Sequence, residues 1–398
     1  MSKSTNFSGT PIIKQILKYI SPEIIYRTAR EHKSDRYYKR FKTYDHLVTM
    51  IYAVLSGCCS LREVSSILLA CEGRINHIGL KHFPKRSTLA DANKKRQSEV
   101  FADIYYKLHD KYKKYLSDSS PIVLSVKNLH IIDSTTISLF SEILKAAGRN
   151  PPDGKRKGGI KVHTMINALE DVPCLIRMTS SATCDKSFLK EIDLKKGSIV
   201  VFDKGYNSFS IFEKWNRQGI YFVTRQHENA VWDQIEEYDI NGLEELGVLS
   251  DEKIRIGKTA AISFEVRRIK YWNEEQGKEY VFITNNFDLK ADQIALIYKK
   301  RWQIEHLFKR LKQNFPLKYF LGDNRNAIEI QIWVSLIIQL LMLVIQRIAD
   351  KKWSFSNMVS IIRYHLMTYI DLIKFLNNPD ASWEYLTTKP RDQLELLF

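Results

Sequence analysis

The sequence has few of the features that mark a secreted or membrane-bound chain. Its five cysteines (Cys58, Cys59, Cys71, Cys174, Cys184) form no C-x-x-C pair and have no neighbouring histidine pairs. That argues against a structural zinc or a disulfide framework and fits a reducing compartment. The opening MSKSTNFSGT has no apolar signal core, and the most hydrophobic run, IWVSLIIQLLMLVI, is only about fourteen residues and carries a glutamine. Such a run reads as a buried core helix and not as a bilayer span, so the cytoplasm is the expected location and no membrane partner is expected. Internal repeats and low-complexity tracts are missing too. Acidic residues are in deficit, 45 against 61 Lys and Arg, for a net charge of +16. A plain metabolic enzyme seldom carries such an excess, which favours a polyanionic partner, with DNA ahead of lipid. Residues 1–125 hold 22 Lys/Arg against 11 Asp/Glu, so most of the excess lies at the N-terminus.

What is present is ample apolar material, 44% of 398 residues with 12% aromatics, enough for the cores of two or three domains. From Thr10 to about Asp118 the pattern is helical, with apolar positions three or four apart in YDHLVTMIYAVLSG and SLREVSSILLACEG. Within it, AREHKSDRYYKRFK interleaves Arg30, Lys33, Arg36, Lys39, Arg40 and Lys42 with Tyr37, Tyr38 and Phe41. That is either a DNA-contacting surface of cations and stacking aromatics or a solvated helix face. After Pro121 come short β-branched runs, NLHIIDSTTI, GGIKVHTMIN, CLIRMTSSA, SIVVFDKG and IYFVTRQ, which predict about five strands in an α/β layer, with helices such as SFLKEIDL among them. The polar loop AAGRNPPDGKRKGG between the first two either approaches DNA or is simply mobile. A locally acidic stretch with further strand-like runs, residues 226–280, reads as a β-rich insertion, and a long helix starts near Asp292. The domain division expected is 1–120, helical and basic; 121–350, catalytic, with 226–280 inserted; and 351–398, helical.

The most informative stretch is IALIYKKRWQIEHLFKRLKQNF. Tyr298, Arg301, Glu305 and Lys312 stand at offsets of three, seven and fourteen, which on one continuous helix places them within roughly a 60° arc. A glutamate is thus set among a phenol, a guanidinium and an ammonium. Upstream, Asp133 and Asp203 each end an apolar run read as a buried strand. Two aspartates and a glutamate on separate elements can hold two divalent cations, with Mg²⁺ suited to such oxygen ligands. Each signal has a plainer reading: a strand-end Asp as a turn or helix cap, and Arg301 with Glu305 as a surface i,i+4 pair. Ile297, Ile304, Phe308 and Leu311 run as an apolar stripe beside the motif, so the charged set borders a core.

The combination resembles the DDE transposases of bacterial insertion sequences, specifically the "insertion sequence four" type, whose hallmark is Tyr-x2-Arg-x3-Glu-x6-Lys. Tyr298, Arg301, Glu305 and Lys312 match it in full, and IIDSTT and FDKGY look like the family's two aspartate regions. The likeness runs from about residue 125 to 350, and KRSTLADANKKR looks like part of a DNA-binding N-terminus found in one branch. The resemblance implies an α/β fold, a ribonuclease H-like catalytic core with a β-rich insertion, preceded by an all-α domain. It implies cut-and-paste transposition through a DNA hairpin, with Asp133, Asp203 and Glu305 holding two Mg²⁺ ions, or Mn²⁺ as a substitute. Arg301 and Lys312 would grip phosphates and Tyr298 the hairpin backbone. The partners implied are double-stranded DNA, as the element's terminal inverted repeats and the target, and a second copy of the chain in the synaptic complex, with the helices after Trp353 as a possible interface. An aromatic of the insertion, Trp232 or Trp272, would receive a flipped base, against packing in the insertion's own core. His163 reads as a structural strand histidine. The alternatives are a nuclease or resolvase with the same core and no strand transfer, and an inert DNA-binding descendant.

Overall fold

Strand-forming residues gather in the middle of the chain and helix-forming ones at both ends, and the molecule divides accordingly into two units. The computed structural model describes residues 9–71, 73–119, 128–138, 159–257 and 263–381. Unit 1 joins residues 1–115 to 310–398, and unit 2 is residues 116–309. This differs from the expected three-part division. The physical reason is the helix Arg325–Ile348, which packs on Thr43–Leu55 and Arg86–Lys95 and so draws the C-terminal part of the chain into one core with the N-terminal helices.

Arg325–Ile348 is the helix predicted from the long apolar run. Asn324 caps it by accepting from the Ala327 amide at 3.0 Å. It is long and apolar enough to cross a membrane, but 94% of its apolar window is buried within the protein. The buried Gln331 is fully used. It donates to the Pro316 and Tyr319 carbonyls at 2.8 and 2.9 Å and accepts from the Leu321 amide at 2.8 Å, whereas Gln339, the glutamine inside the apolar run, is buried with no hydrogen-bond partner among the described residues.

Unit 2 is built on one nine-stranded sheet in the order β3-β2-β1-β4-β5-β9-β8-β7-β6. The strands are β1 Leu129–Ser138, β2 Gly159–Asn167, β3 Pro173–Ser180, β4 Ile199–Val201, β5 Tyr221–Arg225, β6 Trp232–Glu237, β7 Val248–Ile256, β8 Phe264–Asn273 and β9 Lys278–Thr284. β1, β4 and β5 run parallel and the other pairs are antiparallel. The five strands read after Pro121 are all present. The stretch expected as an insertion supplies β6 to β9, and it continues the same sheet because β9 pairs with β5, Val223 facing Thr284 and Arg225 facing Phe282. SFLKEIDL, expected as a helix, is a 3₁₀ stretch, Asp185–Glu191. The loop AAGRNPPDGKRKGG lies almost wholly outside the described residues.

Alternation along β4 shows how the sheet is covered. Val200 enters an apolar cluster with Ile132, Phe202, Phe212, Trp215 and Phe222, while Ile199 and Val201 enter another with Leu129, Val223, Ile294, Ile297 and Tyr298. The helix Phe209–Arg217 therefore covers one face and Ala291–Lys299 the other, as a strand apolar on both sides requires.

Candidate active site

The site is set by where the parallel strands stop. β4 pairs with β1 only as far as Ile131, so beyond that point β1 runs on without its neighbour. Side chains alternate along a strand, and Asp133, Asp203 and Arg225 follow Ile131, Val201 and Val223 by two residues each. All three fall on the face covered by Ala291–Lys299, at the carboxyl ends of parallel strands, the general place for a ligand crevice in such sheets.

The signature helix is not continuous. It is two helices, Ala291–Lys299 and Trp302–Asn314, and the four residues lie on one face only approximately. Between them the bonds tighten to i→i−3: Lys300 to Ile297 at 3.1 Å, Arg301 to Tyr298 at 3.0 Å, Gln303 to Lys300 at 2.9 Å and Ile304 to Arg301 at 3.2 Å. Such a 3₁₀ turn between helical stretches often marks a hinge or a strained sequence. Its effect is to separate two targets: Tyr298 donates its hydroxyl to Asp203 at 3.3 Å, while Arg301 reaches Asp133 at 3.4 Å and Glu305 at 2.6 Å.

Five of the six predicted site residues thus meet in unit 2. Lys312 lies further along Trp302–Asn314, in the part that belongs to unit 1, where burial lowers its pKa. Sequence reasoning missed Arg225, which binds Asp203 through Nε at 3.1 Å and Nη2 at 2.6 Å. The signal available was a cation ending an apolar strand, the same pattern that singled out the aspartates.

The electrostatics separate the two aspartates. Burial pushes Asp133 up to about 6, and the charges of Glu305 and Asp203 push the same way against the Ser134 amide and Arg301. Asp203 is also raised by burial, but the Arg225 bond and charge outweigh it and leave its carboxyl below the usual value. Burial likewise raises the Tyr298 phenol, to about 12, so it stays protonated and able to donate. Three carboxylates therefore share two guanidiniums. Among the described residues no three His, Cys, Asp or Glu side chains stand together as a ready-made metal cage. The donor set, three carboxylates, is nevertheless of the kind hard divalent cations take, and the Arg301 guanidinium holds the positive charge between Asp133 and Glu305 that such a cation would replace.

On the opposite face of β1, Ser134 donates to Asp185 at 3.0 Å, and Lys161 reaches the same carboxylate at 3.3 Å. His163 is fully buried there, bonded to Thr179 at 3.0 Å and stacked on Phe188, which agrees with a structural histidine. Beside the acids a groove of about 640 Å³ is lined by residues that include Arg225, Tyr271, Tyr280, Tyr298, Arg301 and Trp302. Neither Trp232 nor Trp272 lines it. Trp232 lies under the Arg268 guanidinium at 4.5 Å, and Trp272 is 43% exposed.

The family described as "Transposase DDE domain" matches residues 125–341, and a domain of unknown function (DUF4372) matches residues 8–81. The protein y4zB of Sinorhizobium fredii, named as a transposase, is 28% identical over 269 residues, 67% of this chain and 72% of that protein. A transposase of the insertion sequence element IS4SA from Synechocystis is 26% identical over 287 residues, 70% of this chain and 76% of that one. Among solved structures, the piggyBac transposase synaptic complex with hairpin DNA aligns at a TM-score of 0.46 and 9% identity, over 96% of this chain and 84% of that one. The chain belongs to the DDE-domain transposases, a class of enzymes that cleave DNA and transfer its strands.

Proposed function

We propose that this transposase moves an insertion sequence by cut-and-paste chemistry, with Asp133, Asp203 and Glu305 as the metal-holding acids of a ribonuclease H-like core. The observation that carries the reading is the convergence of the three acids on Arg301 and Arg225, with Asp133 on β1 just past its pairing with β4, Asp203 just after β4 and Glu305 on the helix Trp302–Asn314. The strand order β3-β2-β1-β4-β5, antiparallel and then parallel, supports the core assignment.

Divalent cations bound by the three carboxylates would supply Lewis-acid activation of the attacking hydroxyl and stabilisation of the leaving oxygen. The remaining work belongs to the side chains. Arg301, buried between two acids, is placed to turn its fork to a phosphate when those acids find another counter-charge, since guanidinium matches phosphate oxygens in pairs. Lys312 offers a second cation to the backbone. Tyr298, kept protonated by burial, donates to an oxygen of the bent strand. In this reading water frees a 3′-hydroxyl at the element end, that hydroxyl attacks the opposite strand to close a hairpin, water reopens it, and the 3′-end joins target DNA. The groove with Tyr271, Tyr280 and Trp302 is the place for a base displaced by the hairpin, since aromatic faces stack on any base. Two ends cut together call for two copies of the chain on paired DNA.

The test is Mg²⁺-dependent cleavage of a DNA fragment carrying the gene's own flanking ends, resolved on a denaturing gel. Hairpin-ended products with the intact chain, and none with Glu305→Gln, are the expected result. Nicks without hairpins would point to a nuclease, and binding without cutting to an inert relative.

A further inference from the structure

Unit 1 holds a fully buried guanidinium that no chemistry described above uses. Arg96 follows the helix Arg86–Lys95, and its side chain is 0% exposed. Its Nη1 donates to His46 Nδ1 at 2.9 Å, its Nη2 to the Phe41 carbonyl at 3.1 Å and, at 3.5 Å, to Asp35, and its guanidinium lies 4.3 Å from the centre of the Tyr38 ring. A guanidinium only donates, so His46 Nδ1 accepts and its Nε2–H donates to Asn93 Oδ1 at 2.6 Å. Asn93 in turn donates to the Leu321 carbonyl at 2.6 Å. The chain of bonds has one direction, from Arg96 through the buried His46 to the core.

The outer end of this chain is a short segment with a period of three. Asp35, Tyr38 and Phe41 are the residues that Arg96 holds, and Asp35 also accepts from the Thr43 amide at 2.7 Å and its hydroxyl at 2.8 Å. The residues between them, Arg36, Tyr37, Lys39 and Arg40, are exposed, Tyr37 at 83%, with Arg36 over the Tyr37 ring at 5.3 Å. Among the described residues none of Lys33, Arg36, Lys39 and Arg40 has an ion-pair partner. Lys33 opens the segment at a φ of 51°, a left-handed conformation that a lysine adopts at some cost and a glycine readily. A concave surface of about 880 Å³ adjoins it, lined in part by Tyr26, Arg27, Arg30, Lys33 and Arg36.

We propose that Arg96 is a positioning residue for DNA binding: it locks Lys33–Lys42 as a ridge whose cations and Tyr37 grip the phosphate backbone of duplex DNA. Fixing the ridge before contact reduces the side-chain and loop ordering that binding must supply. A row of unpaired cations with one exposed aromatic suits a polyanion read without regard to sequence. The proposal rests on the reading of this chain as a transposase acting on DNA, and its test separates the two.

The measurement is the salt dependence of binding of the full chain to a short labelled duplex of arbitrary sequence, by fluorescence anisotropy. Replacing Arg36, Lys39 and Arg40 together by Ala should flatten the slope of log K against log salt by roughly 2 to 3 units, at about 0.9 per phosphate contact. Arg96→Met should flatten it by a comparable amount while removing no exposed charge, and the ridge replacements made on top of Arg96→Met should change it little further. Tyr38→Leu, which leaves the buried hydrogen bonds in place, is the milder companion if Arg96→Met does not fold, and should flatten the slope part of the way. A merely structural Arg96 would lower the melting temperature and leave the slope of the folded protein unchanged, which overturns the proposal. An unchanged slope in the ridge triple variant would overturn the DNA assignment of this surface, whatever Arg96 does.

Discussion

Unit 2 uses the same chemical pair, arginine with carboxylate, in two places and with different stoichiometry. Across β7 and β8 the pairing is one to one: Arg267 binds Asp251, with Nε at 2.7 Å, and Arg268 binds Glu252 at 2.9 Å, all four residues buried. Where β4 and β5 end beside β1, three carboxylates face, among the described residues, only the guanidiniums of Arg225 and Arg301. The difference is legible in Asp133, which burial and its acidic neighbours hold at about 6. A balanced pair closes a structure, whereas a surplus acid held in place by its surroundings leaves room for an external cation. Stability given up at such a place is a usual cost of function.

The largest effect should come from unbalancing the balanced pair. Asp251→Ala strands the buried Arg267 guanidinium, and loss of one partner of a buried pair typically costs about 3 to 5 kcal/mol. Chemical denaturation should show that loss, while replacing both partners by apolar residues of similar volume should restore much of it. A loss below about 1 kcal/mol would mean that water reaches Arg267 and that the pair resembles a surface one.

Asp133→Asn should act in the opposite sense. With no divalent cation present, the neutral amide removes the cost of an ionised acid beside Glu305 and Asp203, and the protein should be more stable at pH 7.5 by about 3 kcal/mol, as a pKa raised by some two units implies. The sign follows from proton counting. A folded pKa near 6 against 3.8 unfolded means that the native state binds the extra proton between those values, so its stability falls as pH rises through that window and is flat beyond it. Thermal melts of the metal-free protein from pH 4 to 7 should show that slope, and Asp133→Asn should lack it. A variant less stable than the parent at neutral pH would mean that Asp133 is satisfied by Arg301 and that the comparison fails.

Much of this was readable from sequence, and the limits have physical causes. Asp133 and Asp203 could be picked out because an acid ending an apolar run is costly without a partner. Tyr298, Arg301 and Glu305 could be picked out because their spacing is fixed. The break at Lys300 and Arg301 could not, because periodicity assumes an undisturbed helix and the turn tightens where Arg301 is drawn to Asp133 and Glu305. Pairing of β5 with β9 is a long-range match that strand patterns leave open, and so is the packing of Arg325–Ile348 on the N-terminal helices. Asp251 and Glu252 sit in a stretch read as locally acidic, and only the register with β8 shows that they are buried.

Adding a divalent cation sharpens the comparison further. Mg²⁺ should raise the melting temperature of the intact protein, because a ligand that binds only the folded state stabilises it by about 2.7 kcal/mol at a hundred times its dissociation constant. Asp133→Asn and Glu305→Gln should lose most of that response, whereas Asp251→Ala, already weakened, should keep it. An equal response in all of them would place the cation elsewhere.

The smallest expected effect concerns Tyr298. Its hydroxyl meets Asp203 at 3.3 Å, at the long end of a hydrogen bond, and Asp203 is already held by two bonds from Arg225. Tyr298→Phe should therefore cost about 1 kcal/mol or less of stability, the range for one neutral donor whose acceptor keeps other partners. The ring packs on Phe282 at 4.8 Å between centres, and Phe preserves that contact. If Tyr298 works on the bent DNA strand, nicking should survive in the variant while hairpin closure slows, and the two products on one gel separate these steps. Equal loss of both would assign the hydroxyl to Asp203 and not to DNA.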